Sequence, residues 1–334
     1  MRHEALRPRQ RGAALLLAML TVALVASVSA AAYWQQWRSL QFEQTARQRA
    51  QAILLLTGAL DWARLILRED ARAGGSVDHL AEPWAVPLQE TRLSSFIASR
   101  ETRADDAVLD ARLSGRISDE QGKLNFRNLV ETSGNGVQVA AAERLSFQRL
   151  FAALGLPQAE LTLLMQGLLA AYDPEAAAGA ETPLKPLRFE QLAWLGLSPS
   201  TLTRLAPHAT WLPEPTPLNL NTAGALALHA SLPGLDLAQA QSILAQRERR
   251  HFTATDDLRE LAPEAGRQIN AQRHAVTSRY FRVRGLLQLD GAALEQDALV
   301  VRNGIRVRVL WRTQGGLLRQ DAVLQSNASR PMPQ

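Results

Sequence analysis

From Ala13 to Ala32 the chain contains neither a charge nor a proline, about the ~20 residues that a helix needs to cross a ~30 Å hydrocarbon core. Arg2, Arg7, Arg9 and Arg11 crowd its N-terminal side, and Tyr33, Trp34 and Trp37 follow it as an interfacial aromatic belt. The positive-inside bias keeps the N-terminus in the cytoplasm and sends the bulk of the chain outward. Such a segment is a cleaved signal peptide, a plain anchor or the assembly helix of a filament subunit. "SVSA" offers small residues at a cleavage site for the first reading.

The next forty residues bear on that choice. No proline stands between Pro8 and Pro83, and Phe42, Ala46, Ile53 and Leu60 keep one face apolar while Arg38, Glu43, Arg47 and Arg49 lie elsewhere. This pattern predicts one helix from the membrane to about Ala73, stopped by Gly74-Gly75. A tether needs only a short linker, so a helix half in lipid and half amphipathic points to assembly.

The remaining body is close to neutral. Of the formal net charge of +5, more than half comes from the basic leader, whereas a nucleic-acid binder carries its positive charge on the folded domain. Without cysteine there is no disulfide framework, thiol nucleophile or cysteine-ligated metal, so metal chemistry would rest on oxygen and histidine.

The basic "RPRQRG" followed at once by "AALLLAMLTVALV" and a long amphipathic helix resembles a type IV pilin-like N-terminus. The resemblance implies cleavage by a prepilin peptidase after Gly12, leaving Ala13 as the first mature residue, which is then methylated. Most pilins carry glutamate at the fifth mature position, and here that residue is Leu17. This departure is a feature of the GspK family, the large minor pseudopilins of type II secretion systems. "ALDWARLILRED", "ISDEQGKLNFRNLV", "LNLNTAGALALHASLPGL" and "SRYFRVRG" are similar to that family in the same order. The resemblance implies an inner-membrane, single-pass subunit with its bulk in the periplasm, at the tip of the pseudopilus. Its implied partners are the smaller I- and J-type minor pseudopilins, the major pseudopilin and the prepilin peptidase. Phe42, Ala46, Ile53 and Leu60 are the implied assembly face. No cofactor is certain, though calcium is known in relatives.

The predicted class is α+β: a type IV pilin-like long helix on a small antiparallel sheet, with a large all-helical insert. Residues 1–12 form the leader, 13–37 the transmembrane part and 38–73 the periplasmic part of the helix. Residues 74–125 hold a loop and strands, with "EPWAVPLQE" as an irregular arm and "DARLSGRISDEQGKLNF" as a hairpin turning at "DEQGK". Residues 126–275 form the insert, of two SAM-like or helix-hairpin-helix-like modules divided at "WLPEPTPLNLN", the second at about 216–275. Residues 276–328 supply the last strands, with a tight turn at "RNG". "NASRPMPQ" is expected to fray.

The second module also resembles DNA-gripping hairpins, which makes a membrane-anchored DNA receptor the rival function. Those hairpins hold phosphate on a glycine-hydrophobic-glycine nest. Here the turn is Gly234-Leu235-Asp236, whose carboxylate repels phosphate and suits a helix cap. Arg247, Arg249 and Arg250 read as favourable cations at a helix C-terminus, and Asp256 and Asp257 as partners of a helix N-terminus. Asn219, Asn221 and Thr222 read as turn and cap residues. Asp105, Asp106, Asp110, Asp119 and Glu120 form a loose acidic group, read as solvated surface with oxygen ligands that suit calcium. The histidines His3, His79, His208, His229, His251 and His274 are scattered and match no H-E-x-x-H pattern, and no G-x-S-x-G or Walker motif occurs. Catalysis by this chain is not expected.

Overall fold

The computed structural model describes residues 11–75, 77–92, 111–133, 136–173, 182–289, 292–315 and 318–319. Leader residues 1–10, Asp105, Asp106 and Asp110 of the acidic group, and the C-terminal tail lie outside them. Contacts divide the chain into one unit through Leu54 and a second from Leu55 onward. The described part of the first unit is helical, and every residue from Ala13 to Arg47 is exposed. The helix as a whole, α1, runs Arg11–Arg72 over 62 residues.

In the second unit, Leu56, Leu60, Ala63 and Leu67 recur every three or four residues along α1 and are all buried, the stripe that an amphipathic helix turns toward a core. They face a sheet of six strands. Its main path is β1 (Leu88–Arg92), β2 (Ala111–Asp119), β9 (Tyr280–Leu289), β10 (Ala292–Asn303) and β11 (Arg306–Gln314), with β12 (Leu318–Arg319) also on β10. All pairings are antiparallel. Leu60, Ala63 and Leu67 pack with Trp84, Ile117, Phe281, Val283, Ala298 and Val300. The alternate residues Tyr280, Leu299 and Val301 form a separate cluster with Leu212. Because strand side chains alternate between faces, α1 covers one face of the sheet and Leu212 reaches the other.

Two local expectations need correction. "EPWAVPLQE" is not wholly irregular: after a 3-10 turn at Pro83–Ala85 it enters β1, the edge strand on β2. Nor does "DARLSGRISDEQGKLNF" form a hairpin. Its first half is β2, paired with β9 from Ala111↔Leu289 to Asp119↔Phe281. The turn-like "DEQGK" instead opens a 3-10 helix, and β3 (Leu124–Asn125) pairs in parallel with β6 (Ala209–Thr210). Alternation marked the strand correctly, but its partner is remote in sequence. At "RNG" the expected hairpin forms one residue later, with Asn303 opposite Arg306 and Gly304 at φ +56°. Glycine supplies that left-handed conformation without a Cβ clash.

The chain leaves the sheet at Asp119 and re-enters it at Tyr280 beside the strand it left. The excursion contains β4 (Val130–Ser133) hydrogen-bonded to β5 (Gly136–Val139), and the parallel pair β7 (Leu218–Asn219) and β8 (His274–Ala275). The remainder is chiefly helical: α2 (Ala141–Ala153), α3 (Gln158–Tyr172), α4 (Pro199–Leu205), α5 (Ala225–Ser231), α6 (Leu237–Arg249), α7 (Asp256–Leu261) and α8 (Pro263–Gly266). "FEQLAWL" (Phe189–Leu195) forms a 3-10 helix. The proline-rich stretch does not divide the hydrophobic core. Phe126, Phe147, Leu164, Leu228, Ile243 and Leu258 belong to one cluster that spans both sides of it.

Candidate assembly site

At the N-terminus, Gly12 and Ala13 both lie within α1. Leu15, Leu16, Leu17, Met19 and Leu20 are exposed apolar side chains, and no carboxylate occurs between Gly12 and Glu43. This surface is apolar all round, as a helix solvated by lipid or packed among similar helices must be. Ala13–Arg72 is the one candidate span among the described residues, judged by length and composition. The apolar helix thus suits a single-pass anchor.

The expected assembly face does not remain one surface. Phe42 and Ala46 are exposed, Ile53 is half-buried, and Leu60 is 4% exposed within the sheet's own core. Leu60 therefore serves intramolecular packing, because the apolar stripe turns inward where the sheet begins. Trp62, two residues on, is 55% exposed. It borders an apolar groove of about 260 Å³ with Leu56, Ile66, Trp84, Val86 and Leu88. Sequence reasoning missed this groove. Apolar residues spaced between Pro83 and Pro87 were its available signal.

The junction between sheet and insert is a buried polar cluster. Asp119 accepts bonds at Oδ2 from Ser278 Oγ (2.5 Å), Thr222 Oγ1 (2.6 Å) and Asn219 Nδ2 (3.0 Å). Gln121 N donates to its other oxygen at 2.7 Å. Asn219 Nδ2 also donates to Asp78 O, and Asp78 Oδ2 accepts from Ser278 N at 2.7 Å. Arg302 of β10 donates to Asp70 at 2.7 Å and to Asp78, while its guanidinium lies over Phe281. The end of α1, its following loop, both crossings and β10 are thereby joined. Burial pushes the Asp119 carboxyl up to about 6, against the lowering effect of its hydrogen bonds.

These contacts correct several surface readings. Asp119 and Glu120 are buried rather than solvated. Glu120 accepts from Thr210 Oγ1 and Lys123 Nζ. Desolvation would raise its pKa, but Lys123 and Arg282 outweigh it and hold the carboxyl below its ordinary value. Asn219 and Asn221 are turn residues, as expected, with Asn219 Oδ1 accepting from Asn221 N, and they are buried bridges as well: Asn221 accepts from Phe252 N and donates to Phe252 O. Thr222 serves Asp119. Arg247 stands in the last turn of α6, as expected of a C-terminal cation, but it is buried there. Its buried guanidinium donates to Leu220 O and Ala223 O, and burial pulls its pKa down to about 10. Asp257 does act as expected, accepting from Thr253 N and Ala254 N.

The histidines are less scattered in space than in sequence. His79 and His251 stack with centroids 3.7 Å apart, and burial lowers both pKa values. His274 Nε2 lies 2.7 Å from Ser231 Oγ, superficially a base beside a nucleophile. However, His274 Nδ1 accepts from Asn270 N, so Nε2 carries the proton and donates to the serine. It cannot also remove the serine proton. Both side chains are buried, and burial takes His274 down to about 4.

Asp70, Asp78 and Glu82 place carboxylate oxygens within 4.8 Å of one another. They do not fit a calcium ion, which needs six to eight oxygen ligands. Arg302 occupies Asp70 and Asp78, while Glu82 accepts from His79 N and Trp84 Nε1.

The DNA-binding reading fares poorly at its own turn. Gly234 has φ +82° and Leu235 is buried. Asp236 accepts from Gln239 N at 2.7 Å, while Gln239 Oε1 accepts from Asp236 N. This capping box consumes donors that a phosphate nest would present.

A long N-terminal helix packed on an antiparallel sheet, interrupted by a helical insert, defines a pilin-like subunit. Residues 122–214 and 218–277 match two family models, each described as type II secretion system protein K. The chain is 30% identical over 300 residues to type II secretion system protein K of Pseudomonas aeruginosa (strain ATCC 15692), covering 83% of this chain and 84% of the relative. It belongs to the type II secretion system protein K family, and so to the minor pseudopilins. Its fold is similar to a chain in the crystal structure of the GspK-GspI-GspJ complex from enterotoxigenic Escherichia coli. That match has TM-score 0.62 and 18% identity, with 82% of this chain and 99% of the other covered.

Proposed function

We propose that this minor pseudopilin caps the tip of the secretion pseudopilus and nucleates it with two smaller I- and J-type minor pseudopilins. The observation that carries the tip position is Leu17, an exposed apolar residue where assembling pilins carry glutamate. An unpaired charge within the bilayer costs about 2.5–3.5 kcal/mol or more, so that glutamate needs the N-terminal amine of the subunit ahead. A subunit with nothing ahead has no use for it. Its own amine, freed by cleavage between Gly12 and Ala13, remains available to the subunit behind. The insert supports the same placement, as its bulk would obstruct a subunit stacked ahead of this one.

The partners are proposed by analogy with the GspK-GspI-GspJ complex of the similar structure. Phe42 and Ala46, with Ile53 at the margin, are the assembly residues; the Trp62 groove replaces Leu60. The major pseudopilin follows in the shaft, and the prepilin peptidase acts on the leader. The N-terminus is cytoplasmic and the body periplasmic, with a structural rather than catalytic role.

Mass spectrometry of the membrane-extracted protein should find a methylated N-terminus at Ala13, whereas an N-terminus near Ala31 would establish a secretory signal. Crosslinking in cells should place the chain at one end of the heterocomplex. Like neighbours on both sides would sink the tip assignment.

A further inference from the structure

We propose that Trp34, Arg38 and Phe42 form a clamp for a phospholipid headgroup phosphate at the end of the membrane span remote from the arginine leader. Arg38 is the first charge after the uncharged stretch that begins at Gly12. Its guanidinium lies 5.6 Å from the Trp34 ring centroid and 6.0 Å from that of Phe42. The two rings stand one helical turn to either side, and both side chains are exposed. Rings at these distances attract the cation without using its N–H groups, which remain to donate to an oxygen anion.

No acid on the same helix supplies that anion. The positions three and four residues from Arg38 are Trp34, Gln35, Gln41 and Phe42. Farther along α1, Arg47 is paired with Glu43, Arg64 with Asp61, and Arg68 and Arg72 with Glu69. Among the described residues no carboxylate pairs with Arg38. Arg49 has no acid one turn away either, but Thr45 and Ile53 stand there instead of rings. Among the described residues, only Arg38 combines an unneutralised charge, aromatic flanks and a place at the edge of the apolar span. At that depth an aromatic belt sits among headgroups and an arginine reaches phosphate. The clamp fixes how deeply the helix lies until the subunit is extracted.

This inference rests on the reading of Ala13 to Ala32 as the span, and the test separates the two. The chain has no native cysteine, so a single introduced cysteine is a clean reporter. Full-length protein carrying Leu20→Cys or Ser39→Cys is placed in phospholipid nanodiscs and treated with a membrane-impermeant maleimide. Leu20→Cys should be protected and Ser39→Cys labelled. Adding Arg38→Gln should let the helix slide inward by about five residues, roughly 7–8 Å at the α-helical rise, until Glu43 reaches the headgroups. Labelling of Ser39→Cys should then slow at least about fivefold in phosphatidylcholine and phosphatidylglycerol discs alike. Arg38→Lys should fall between.

In discs of a phosphate-free galactolipid, Arg38→Gln and its parent should label at equal rates, with or without added inorganic phosphate. An unchanged Ser39→Cys rate in phospholipid overturns the clamp. An equal slowing in galactolipid overturns phosphate as the ligand, and a difference that appears only with inorganic phosphate overturns the lipid as its source. Free labelling of Leu20→Cys instead sinks the span reading itself.

Discussion

The two parts of α1 obey opposite rules. Up to Arg47 its described side chains are exposed from Ala13 onward, and the apolar residues are not confined to one face. From Leu56 to Leu67, the residues Leu56, Leu60, Ala63 and Leu67 form a buried stripe while Asp61 and Trp62 stay exposed. The first part depends on surroundings outside the chain for its burial; the second finds burial within the fold. Hydrophobicity alone therefore does not mark an assembly surface: Leu60 and Phe42 read alike in sequence, yet only Phe42 is available.

The sharpest way to break the internally buried part is Arg302→Ala. It leaves Asp70 and Asp78 without their cation, and unfolding measurements should show a loss of about 3–5 kcal/mol. Leu67→Ala should cost about 2–4 kcal/mol by emptying a fully buried position, whereas Leu16→Ala should leave the denaturant midpoint of the folded body unchanged. Equal losses at Leu16 and Leu67 would erase the contrast.

A third test is electrostatic. Asp119, raised to about 6 when folded, contributes stability that is fully present below its ordinary value near 3.8 and is lost as pH rises through about 6. His274, lowered to about 4, behaves in reverse: its contribution is present above its ordinary 6.5 and is lost as pH falls through about 4. His79 and His251, also lowered, act on the same side as His274. The opposing terms flatten the wild-type profile across this window. Asp119→Asn should make stability fall on acidification by up to about 1.4 kcal/mol per pH unit, and His274→Asn should tilt it the other way. Parallel profiles in stability titrations would show that neither group is responsible.

The smallest stability effect is expected from Leu17→Glu, at an exposed position on the apolar part of α1. Its consequence should appear in assembly: the variant should lose its exclusive end position in cellular crosslinks while its midpoint remains unchanged.

Much of this fold was legible because its signals are local. The uncharged run, the helical periods and the "RNG" turn each require only neighbouring residues. The misread hairpin shows the limit, since β2 alternates correctly but pairs with β9 across the whole insert. Polar function failed for a related reason. Asn219, Asn221, Thr222 and Arg247 have turn and cap chemistry, and only the tertiary fold reveals them as buried bridges. At the candidate site, Leu17 and Phe42 were visible in sequence, but the Trp62 groove needed the packing of β1 beside α1.

The meeting of Asp119 with Ser278, 159 residues apart in sequence, has a kinetic consequence. Closing a flexible loop of that length costs on the order of 4–5 kcal/mol before its contacts return anything. The insert lowers this barrier if it condenses first, because its short-range helical contacts form quickly and draw its two ends together. The sheet then closes on a chain already gathered at both crossings. Gly122 belongs to this closing step, as an added Cβ there would lie 2.8 Å from Thr222 Oγ1 and 2.9 Å from Thr222 O. On this route the interrupting domain is a folding template for the sheet it interrupts, and β9 must wait for nearly the whole insert to be synthesised before it can dock.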